Sequence, residues 1–140
     1  MFRIDDSQSP LVVIHFDGPM TLDETHQMLA YFNQLLDTGA PFALAMASNN
    51  EAQHEKGVAK AQKQWLQANR SRIGKTCVGI AIVTQSSKFI ALYKPMANQI
   101  IQRMYHCPGR LFTDLEEATR WLRGQLCQPI PSFSATSPKE

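Results

Sequence analysis

The sequence predicts an α/β fold: a single-layer, mostly parallel sheet of four or five strands with an antiparallel edge strand and about four helices. Three observations predict it. Short apolar runs alternate along the chain with longer segments whose apolar residues recur at helical spacing. A helical segment separates each central run from the next, as in a parallel sheet. Only a short turn separates the first two runs, so these two strands pair antiparallel.

The composition is that of one globular domain. With 140 residues, 44% of them hydrophobic and 19% charged, the chain suits one domain with a packed core. We expect that domain to span residues 1–127. Residues 128–140 are rich in proline and serine and offer too little apolar surface to order themselves. We therefore expect them to form a flexible tail.

Charge and cysteine content narrow the class of protein. A net charge of +2 is too small to indicate nucleic-acid binding. Cys77, Cys107 and Cys127 are widely spaced and odd in number, unlike the cysteines of a disulfide-stapled secreted domain. No signal-peptide pattern is visible, and no apolar run approaches the ~20 residues that cross a bilayer. We therefore expect a cytoplasmic protein without a membrane span.

The N-terminal third predicts two strands and one helix. Residues 2–6 fit a short edge strand, and the β-branched run 11–16 fits a buried one. Thr21 and Glu24 then have the spacing of a capping box, and Gly39 is the expected left-handed end of the helix. The helix residues predicted to face the sheet are Met28, Leu29, Phe32, Leu35 and Leu36.

The central strand, residues 42–47, is an unbroken apolar run that leads into the most polar helix. Ser48, Asn49 and Asn50 follow the strand and are turn and helix-capping residues. We expect this second helix to run from about residue 53 to about residue 72, with a thin inward stripe. Residues 51–75 contain six basic residues and two acidic ones. The basic charge of the protein is therefore concentrated on this segment.

The second half predicts two more strands and two more helices. Residues 76–84 fit a buried strand in which Gly79 leaves room for the close approach of a helix. Pro95 interrupts the third helical pattern, and it either starts or kinks that helix; we favour the kink. A short strand at 110–112 precedes a second capping box at 113–116. The predicted packing residues of the last helix are Leu115, Ala118, Trp121 or Leu122, and Leu126.

This order of elements resembles the STAS-like domains, the fold of anti-sigma-factor antagonists. Two sequence features carry the resemblance besides the order. They are the strand Cys77-Val78-Gly79-Ile80-Ala81-Ile82-Val83 and the ending Leu111-Phe112-Thr113-Asp114 with Glu117-Ala118 and Trp121-Leu122, which is similar to the close of SpoIIAA-like proteins. The resemblance covers roughly residues 11–126 and rests on packing and capping residues, so it concerns the fold.

Phosphoswitch members of the STAS-like family carry a phosphorylatable serine or threonine after the central strand. The resemblance implies that role for Ser48, the hydroxyl at the matching place. The family pattern has an aspartate before the hydroxyl residues and a glycine after them. This chain has Ala47 before Ser48 and Asn49 after it, so both of those residues are missing.

The first functional hypothesis is a non-enzymatic module that docks a protein partner. We call its surface the predicted docking surface. Its residues are Ser48, Asn49, Asn50, Lys56, Lys60 and Lys63. The three lysines lie on one side of the second helix at 3.6 residues per turn, and the turn before the helix could bind an anion. The alternatives are ordinary helix capping and an ordinary solvated face.

The second hypothesis is a binder of a small apolar (lipid-like) or anionic ligand in a pocket between the Ser48 turn and the third helix. The motivating residues are methionines and aromatics that either line such a pocket or belong to the core. They are Phe89, Tyr93, Met96, Met104 and Tyr105. The inward positions expected for the third helix are Phe89, Tyr93, Met96, Ile100 and Met104.

The sequence offers no convincing catalytic set, so we expect a protein that is not an enzyme and that uses no cofactor and no metal. His15 and Asp17 alternate on one strand, and His54 and Glu55 begin the second helix, without a metal-binding spacing. Cys107 could be a thiol nucleophile, but the sequence does not show a base positioned to activate it. Glycine-rich phosphate loops are absent. A homodimer through the N-terminal edge strand is a further possibility.

Overall fold

The computed structural model describes residues 2–48, 56–85 and 87–127, with side chains for all of these except 87–89. The strands of this part of the chain are β1 Phe2–Gln8, β2 Leu11–Phe16, β3 Phe42–Ser48, β4 Cys77–Thr84 and β5 Gly109–Phe112. Its helices are α1 Leu22–Thr38, α2 Val58–Thr76, α3 Ser87–Tyr93, α4 Ala97–Tyr105 and α5 Leu115–Leu126, with a 3-10 turn at Lys94–Met96 between α3 and α4. Residues 49–55 and the expected tail at 128–140 lie outside this description.

The strands form one sheet in the order β1-β2-β3-β4-β5. β1 pairs antiparallel with β2, and all the other neighbours are parallel. Ala45 in the middle of β3 is paired with Val13 of β2 and Ala81 of β4. The predicted fold class is therefore confirmed, including the antiparallel edge.

Helices cover both faces of the sheet, and alternation along the strands decides which residue faces which helix. Leu11 and Val13 belong to the core cluster beneath α5, whereas Val12 and Ile14 belong to the cluster beneath α1, α2 and α4. The α5 side is lined by small residues of the central strands, which lets that helix approach closely. A Cβ added to Gly79 would lie 3.3 Å from Leu122 Cδ2. The close approach predicted from Gly79 is confirmed.

Two local predictions for α1 are also confirmed. Thr21 is its N-cap: the Glu24 amide donates to Thr21 Oγ1 at 3.1 Å, and the Thr21 amide donates to Glu24 Oε1 at 3.0 Å. Gly39 ends the helix in the left-handed conformation, with φ of 70°. These pairings satisfy backbone groups that every helix leaves unpaired at its ends.

The start of α2 differs from the prediction. The helix begins at Val58 and not at about residue 53, and it continues to Thr76. Its N-cap is Gly57, whose φ of 95° is left-handed, and no side chain caps it. A residue in that conformation cannot lie inside a right-handed helix, so Gly57 sets the boundary. Ser48 ends β3 and does not cap α2, and Asn49 and Asn50 lie outside the described residues.

The third predicted helix is two helices and not one kinked helix. Pro95 lies in the 3-10 turn between α3 and α4, where its missing N–H and its ring prevent a continuous helix. The tighter turn also changes the helical phase, so the predicted inward face is wrong. Tyr93, Met96 and Met104 are 38%, 46% and 40% exposed, and Ala97 and Ile101 are the buried residues of α4. The side chain of Phe89 lies outside the described part.

The second predicted capping box is also misplaced by one residue. Asp114, not Thr113, is the N-cap of α5, and its carboxylate accepts from the Glu116 amide at 3.1 Å. Carboxylates and hydroxyls are both good N-cap acceptors, so the pattern Thr113-Asp114 left either choice open locally. The predicted packing of α5 is otherwise confirmed: Ala118 and Leu122 are fully buried against the sheet.

Candidate functional site

The predicted docking surface begins at the carboxyl edge of the sheet. Ser48 is the last residue of β3 and is paired in register with Phe16 of β2 and Thr84 of β4. In a parallel sheet, the carboxyl ends of adjacent strands meet at this edge, where α/β proteins commonly bind ligands. Ser48 is partly buried there.

The lysines of the predicted docking surface are exposed. Lys60 and Lys63 lie on α2, and Lys56 precedes it. Over its whole length α2 carries five basic residues and no acidic one. Within the part of the chain that the structure describes, none of the three lysines forms a salt bridge. The first turns of α2 are therefore a uniformly cationic surface.

A cavity of about 430 Å³ lies beneath α2, between this helix, α1, α4 and the sheet. We call it the α2 cavity. Its apolar lining residues are Phe16, Met28, Leu29, Phe32, Leu44, Met46, Ala59, Trp65, Leu66 and Met104. Its polar lining residues are Gln62, Lys63, Arg70 and Tyr105. A mostly apolar cleft of this size with a few polar groups has the form of a small-molecule site.

The sequence of α2 explains why this space is not filled. The fully buried residues of the helix, Val58 and Ile73, lie near its two ends. Between them, Ala59 and Gln62 face the cavity and bring little apolar volume, and Trp65 and Leu66 are only partly buried at its wall. The thin inward stripe read from the sequence therefore leaves part of the space beneath α2 unfilled.

Side-chain bonds to α1 and α4 hold α2 above the cavity. Trp65 Nε1 donates to Asn33 Oδ1 of α1 at 2.9 Å, and the rings of Trp65 and Phe32 lie 5.6 Å apart. Arg72 forms a 2.5 Å salt bridge with Asp37 of α1. On the other side, Arg70 Nε donates to the backbone carbonyl of Met104 in α4 at 3.1 Å.

None of the described polar groups that line the α2 cavity carries a negative charge. Lys63 and Arg70 bring two positive charges, and no carboxylate of the described residues lines the cavity. Burial raises the pKa of Tyr105 to about 12, with smaller contributions from Cys107 and Cys77, so the phenol is neutral at pH 7. Tyr105 is partly buried, and its hydroxyl makes no hydrogen bond with the described residues.

The structure separates the members of the predicted docking surface. Of the described members, only Lys63 lines the α2 cavity; Ser48, Lys56 and Lys60 do not. Of the residues predicted to line a pocket, Met104 and Tyr105 line the α2 cavity. Tyr93 lines a separate, smaller pocket of about 130 Å³. The sequence analysis missed Arg70 and Trp65 as lining residues. Arg70 follows Lys63 by seven residues and shares its helical face, a spacing that could have indicated Arg70. This spacing does not apply to Trp65.

The histidine and carboxylate cluster considered from the sequence is only partly described. His15 lies opposite Arg3 across the β1–β2 pair, and Asp17 is exposed. Burial lowers the pKa of His15, and the Arg3 charge adds to that effect. His54 and Glu55 lie outside the described residues. Within those residues, no three His, Cys, Asp or Glu side chains are grouped so that they could hold a metal ion.

Cys107 does not have the surroundings of a nucleophile. Its thiol is buried, and the interaction with the neighbouring buried thiol of Cys77, followed by burial, raises the pKa of Cys107. A protonated, inaccessible thiol reacts slowly. His106, the residue before Cys107, is exposed and adopts φ of 61° at the end of α4.

Comparisons with known proteins bear on the fold. No protein-family model matches the sequence, and none of the curated proteins matches it. Among solved structures, the chain is similar to an uncharacterized protein of the DUF3478 family with a SpoIIAA-like fold from Shewanella loihica PV-4. The TM-score is 0.60 and the identity 18%, over 87% of this chain and 92% of the other. No helix of the described residues is long and apolar enough to span a membrane.

These findings agree with the resemblance drawn from the sequence. The element order, the β1-β2-β3-β4-β5 sheet and the likeness to that solved structure are those of a SpoIIAA-like fold. At 18% identity the likeness concerns the fold and not the function. The protein has a SpoIIAA-like fold.

Proposed function

We propose that this protein is a non-enzymatic, regulatory binding module of the STAS-like type that takes up a small ligand with an apolar body in the α2 cavity. The single observation that carries the proposal is the cavity itself: about 430 Å³, lined mostly by apolar side chains and a few polar groups. An apolar cavity of this size is costly to leave without a ligand, because its walls lose packing contacts.

A cavity-filling variant tests the proposal. Ala59 is exposed on α2 and also lines the cavity, so Ala59→Phe can place a ring in the cavity without replacing a core residue. Ala68→Phe, at an exposed position of the same helix that does not line the cavity, is the matched control. Nile red, an uncharged apolar dye whose fluorescence rises in apolar surroundings, is the probe.

The expected result is saturable binding of Nile red to the protein and to the Ala68→Phe variant. Ala59→Phe should bind it roughly tenfold more weakly, as expected for a loss of about 1.4 kcal/mol of apolar contact. Equal affinity of all three proteins would place the dye elsewhere and refute the cavity as the binding site.

A specific observation also favours the docking of a protein partner as a second function. Lys56 just before α2 and Lys60 and Lys63 in its first turns are exposed, α2 itself carries no acidic residue, and none of the three lysines has a salt bridge with the described residues. Such a surface complements an acidic partner and speeds its association. Ser48 at the end of β3 lies at the carboxyl edge of the sheet and could extend the same contact.

Charge reversal tests the docking function separately from ligand uptake. Lys56→Glu with Lys60→Glu changes the surface and spares Lys63, which lines the cavity. In co-purification from the native host at low salt, proteins retained by the unmodified chain should be lost with this variant and kept with Lys75→Glu. Identical retention by both variants would exclude this surface, whatever the result with Nile red.

A further inference from the structure

We infer that the ligand of the α2 cavity is a single-chain amphiphile whose oxyanion head, a carboxylate or a phosphate, binds Arg70 with support from Lys63. The inference rests on the proposed function, because it assumes that the cavity is a ligand site. It adds the chemical class of the ligand and the residue that selects it.

The charge of the cavity is the first argument. Lys63 and Arg70 are its charged lining residues among those described, and both are cations. The carboxylate of Asp37 is paired with Arg72, the neighbour of Arg70 on α2. Neither Arg70 nor Lys63 has a salt bridge within the described chain. Two cations beside an apolar space, with no carboxylate of the described residues lining it, attract a ligand that brings an anion.

The geometry of Arg70 is the second argument. Its Nε donates to the Met104 carbonyl at 3.1 Å, which fixes the plane of the guanidinium between α2 and α4. Among the described residues, no hydrogen bond engages its two terminal nitrogens. A planar fork held in this way matches two oxygens of a carboxylate or phosphate. Arg70 is therefore oriented for an oxyanion before any ligand arrives.

The position of Lys63 is the third argument. Seven residues before Arg70, it lies on the same face of α2, roughly 10 Å away along the helix axis. Both side chains line the cavity. The long, flexible lysine stem can bring its ammonium toward the same head, whereas Lys60 and Lys75 lie on α2 without lining the cavity. Lys63 therefore adds attraction, and Arg70 supplies the fixed geometry.

The apolar lining explains why the anion should carry a chain. Phe16, Leu44, Met46 and Trp65 line the same space and offer no hydrogen bond to a small inorganic ion. A free anion would leave these walls wet, and a purely apolar molecule would leave the guanidinium without an anion. A chain with an oxyanion at one end satisfies both.

The experiment compares three ligands that share a twelve-carbon chain: dodecanoate, dodecyl phosphate and 1-dodecanol, each below its aggregation concentration. Each is titrated against Nile red bound to the full chain, first unmodified and then with Arg70→Met or Lys75→Met. Lys75 is the matched control because it is an exposed cation of α2 that does not line the cavity.

At least one of the two anions should displace the dye with a dissociation constant roughly tenfold below that of the alcohol. Arg70→Met should abolish that difference and Lys75→Met should preserve it. Preference for dodecanoate would indicate a free fatty acid, and preference for dodecyl phosphate a phosphomonoester; both support the inference. Thermal melts followed by circular dichroism check that the variants fold. If Arg70→Met does not fold, the preference of the unmodified chain for the anions over the alcohol decides whether the ligand has an oxyanion head.

Other outcomes separate this inference from the function on which it rests. If the alcohol binds as tightly as both anions, or if Arg70→Met keeps the full preference, the oxyanion head is refuted while the cavity remains a ligand site. If none of the three compounds displaces the dye and Ala59→Phe does not weaken dye binding, the proposed function itself fails.

Discussion

Arg70 and Met104 join the two helices that border the α2 cavity. The Nε of Arg70 donates to the backbone carbonyl of Met104 at 3.1 Å, near the C-terminal end of α4. This carbonyl is one of the four at a helix end that lack a partner within the helix. The bond therefore ties α2 to α4 and completes the end of α4 at the same time.

Loss of this bond should be measurable as a loss of stability. Arg70→Met removes the Nε–H donor, so the Met104 carbonyl loses its hydrogen bond to α2. This loss should lower the free energy of unfolding by about 1 kcal/mol. Lys75→Met, which removes an exposed cation of the same helix, should change it by less than about 0.5 kcal/mol. Urea denaturation measures both. Equal midpoints for the two variants would contradict a structural role for the bond.

Gly109 should tolerate no side chain. A Cβ at this position would overlap the side chain of Ile101, which is 3% exposed, in the contact between β5 and α4. Overpacking of this kind costs about 1–3 kcal/mol, so Gly109→Ala should lower the melting temperature clearly. Gly124→Ala is the control: nothing lies within 4 Å of its added Cβ in α5, and alanine should stabilise that helix by about 0.5–1 kcal/mol. A neutral Gly109→Ala variant would refute this packing.

Two adjacent residues compete for the N-cap of α5, and their variants distinguish the alternatives. The carboxylate of Asp114 accepts the Glu116 amide at 3.1 Å, so Asp114→Ala should cost about 1 kcal/mol of stability. Thr113→Ala should cost much less, since the Thr113 hydroxyl does not cap the helix in the structure. Chemical denaturation of both variants is the measurement. A larger loss for Thr113→Ala would restore the capping box read from the sequence.

Tyr105 should make the protein less stable in strong alkali. A tyrosine in the unfolded chain ionises near pH 10, whereas burial raises the pKa of Tyr105 to about 12 in the folded state. Between these values the unfolded chain has released a proton that the folded chain retains. The free energy of unfolding therefore falls as the pH rises from about 10 to about 12.

The variant Tyr105→Phe isolates this effect. Its free energy of unfolding should fall less over the same pH range, by a difference on the order of 2 kcal/mol. At pH 7 it should match the unmodified protein or exceed it slightly, because the hydroxyl that is removed makes no hydrogen bond with the described residues. Parallel curves for the two proteins between pH 10 and 12 would show that Tyr105 ionises as an ordinary tyrosine.

The three cysteines should react with a thiol reagent at very different rates. Cys127 is exposed, whereas Cys77 and Cys107 are buried, and the interaction between their thiols raises the pKa of Cys107. With Ellman's reagent, the folded protein should release one equivalent rapidly, and the denatured protein should release three. Cys127→Ser should abolish the rapid phase. A rapid phase that persists in this variant would show that a buried thiol is accessible.

Local sequence signals predicted the features that depend on neighbouring residues. Thr21 and Glu24 form the capping box, and Gly39 ends α1, because each needs only a few adjacent backbone groups. The order of strands and helices was predicted from the spacing of hydrophobic residues along the chain. Gly79 indicated a close helix because a strand glycine has few other uses. The resemblance to STAS-like domains rested on the same packing residues, and the fold it implied is the one observed.

The prediction went wrong at two helix starts. The second helix was predicted from about residue 53 and a capping box at 113–116, whereas the N-caps in the structure are Gly57 and Asp114. Pro95 indicated an interruption, but the change of phase through its 3-10 turn decided which residues of α4 are buried. In each case the choice depends on how the segment packs on the rest of the chain.

By itself, the sequence determined the fold class, the antiparallel edge of the sheet and the cationic character of α2, because these follow from hydrophobic period, turn length and composition. Only the tertiary structure decided that α2 stands over an open cavity, that Lys63 and Arg70 line it, and that Arg70 is held by Met104. The physical reason is distance along the chain. A cavity is the space left between side chains from β2, β3, α1, α2 and α4, and their separation is set by packing and not by any local pattern.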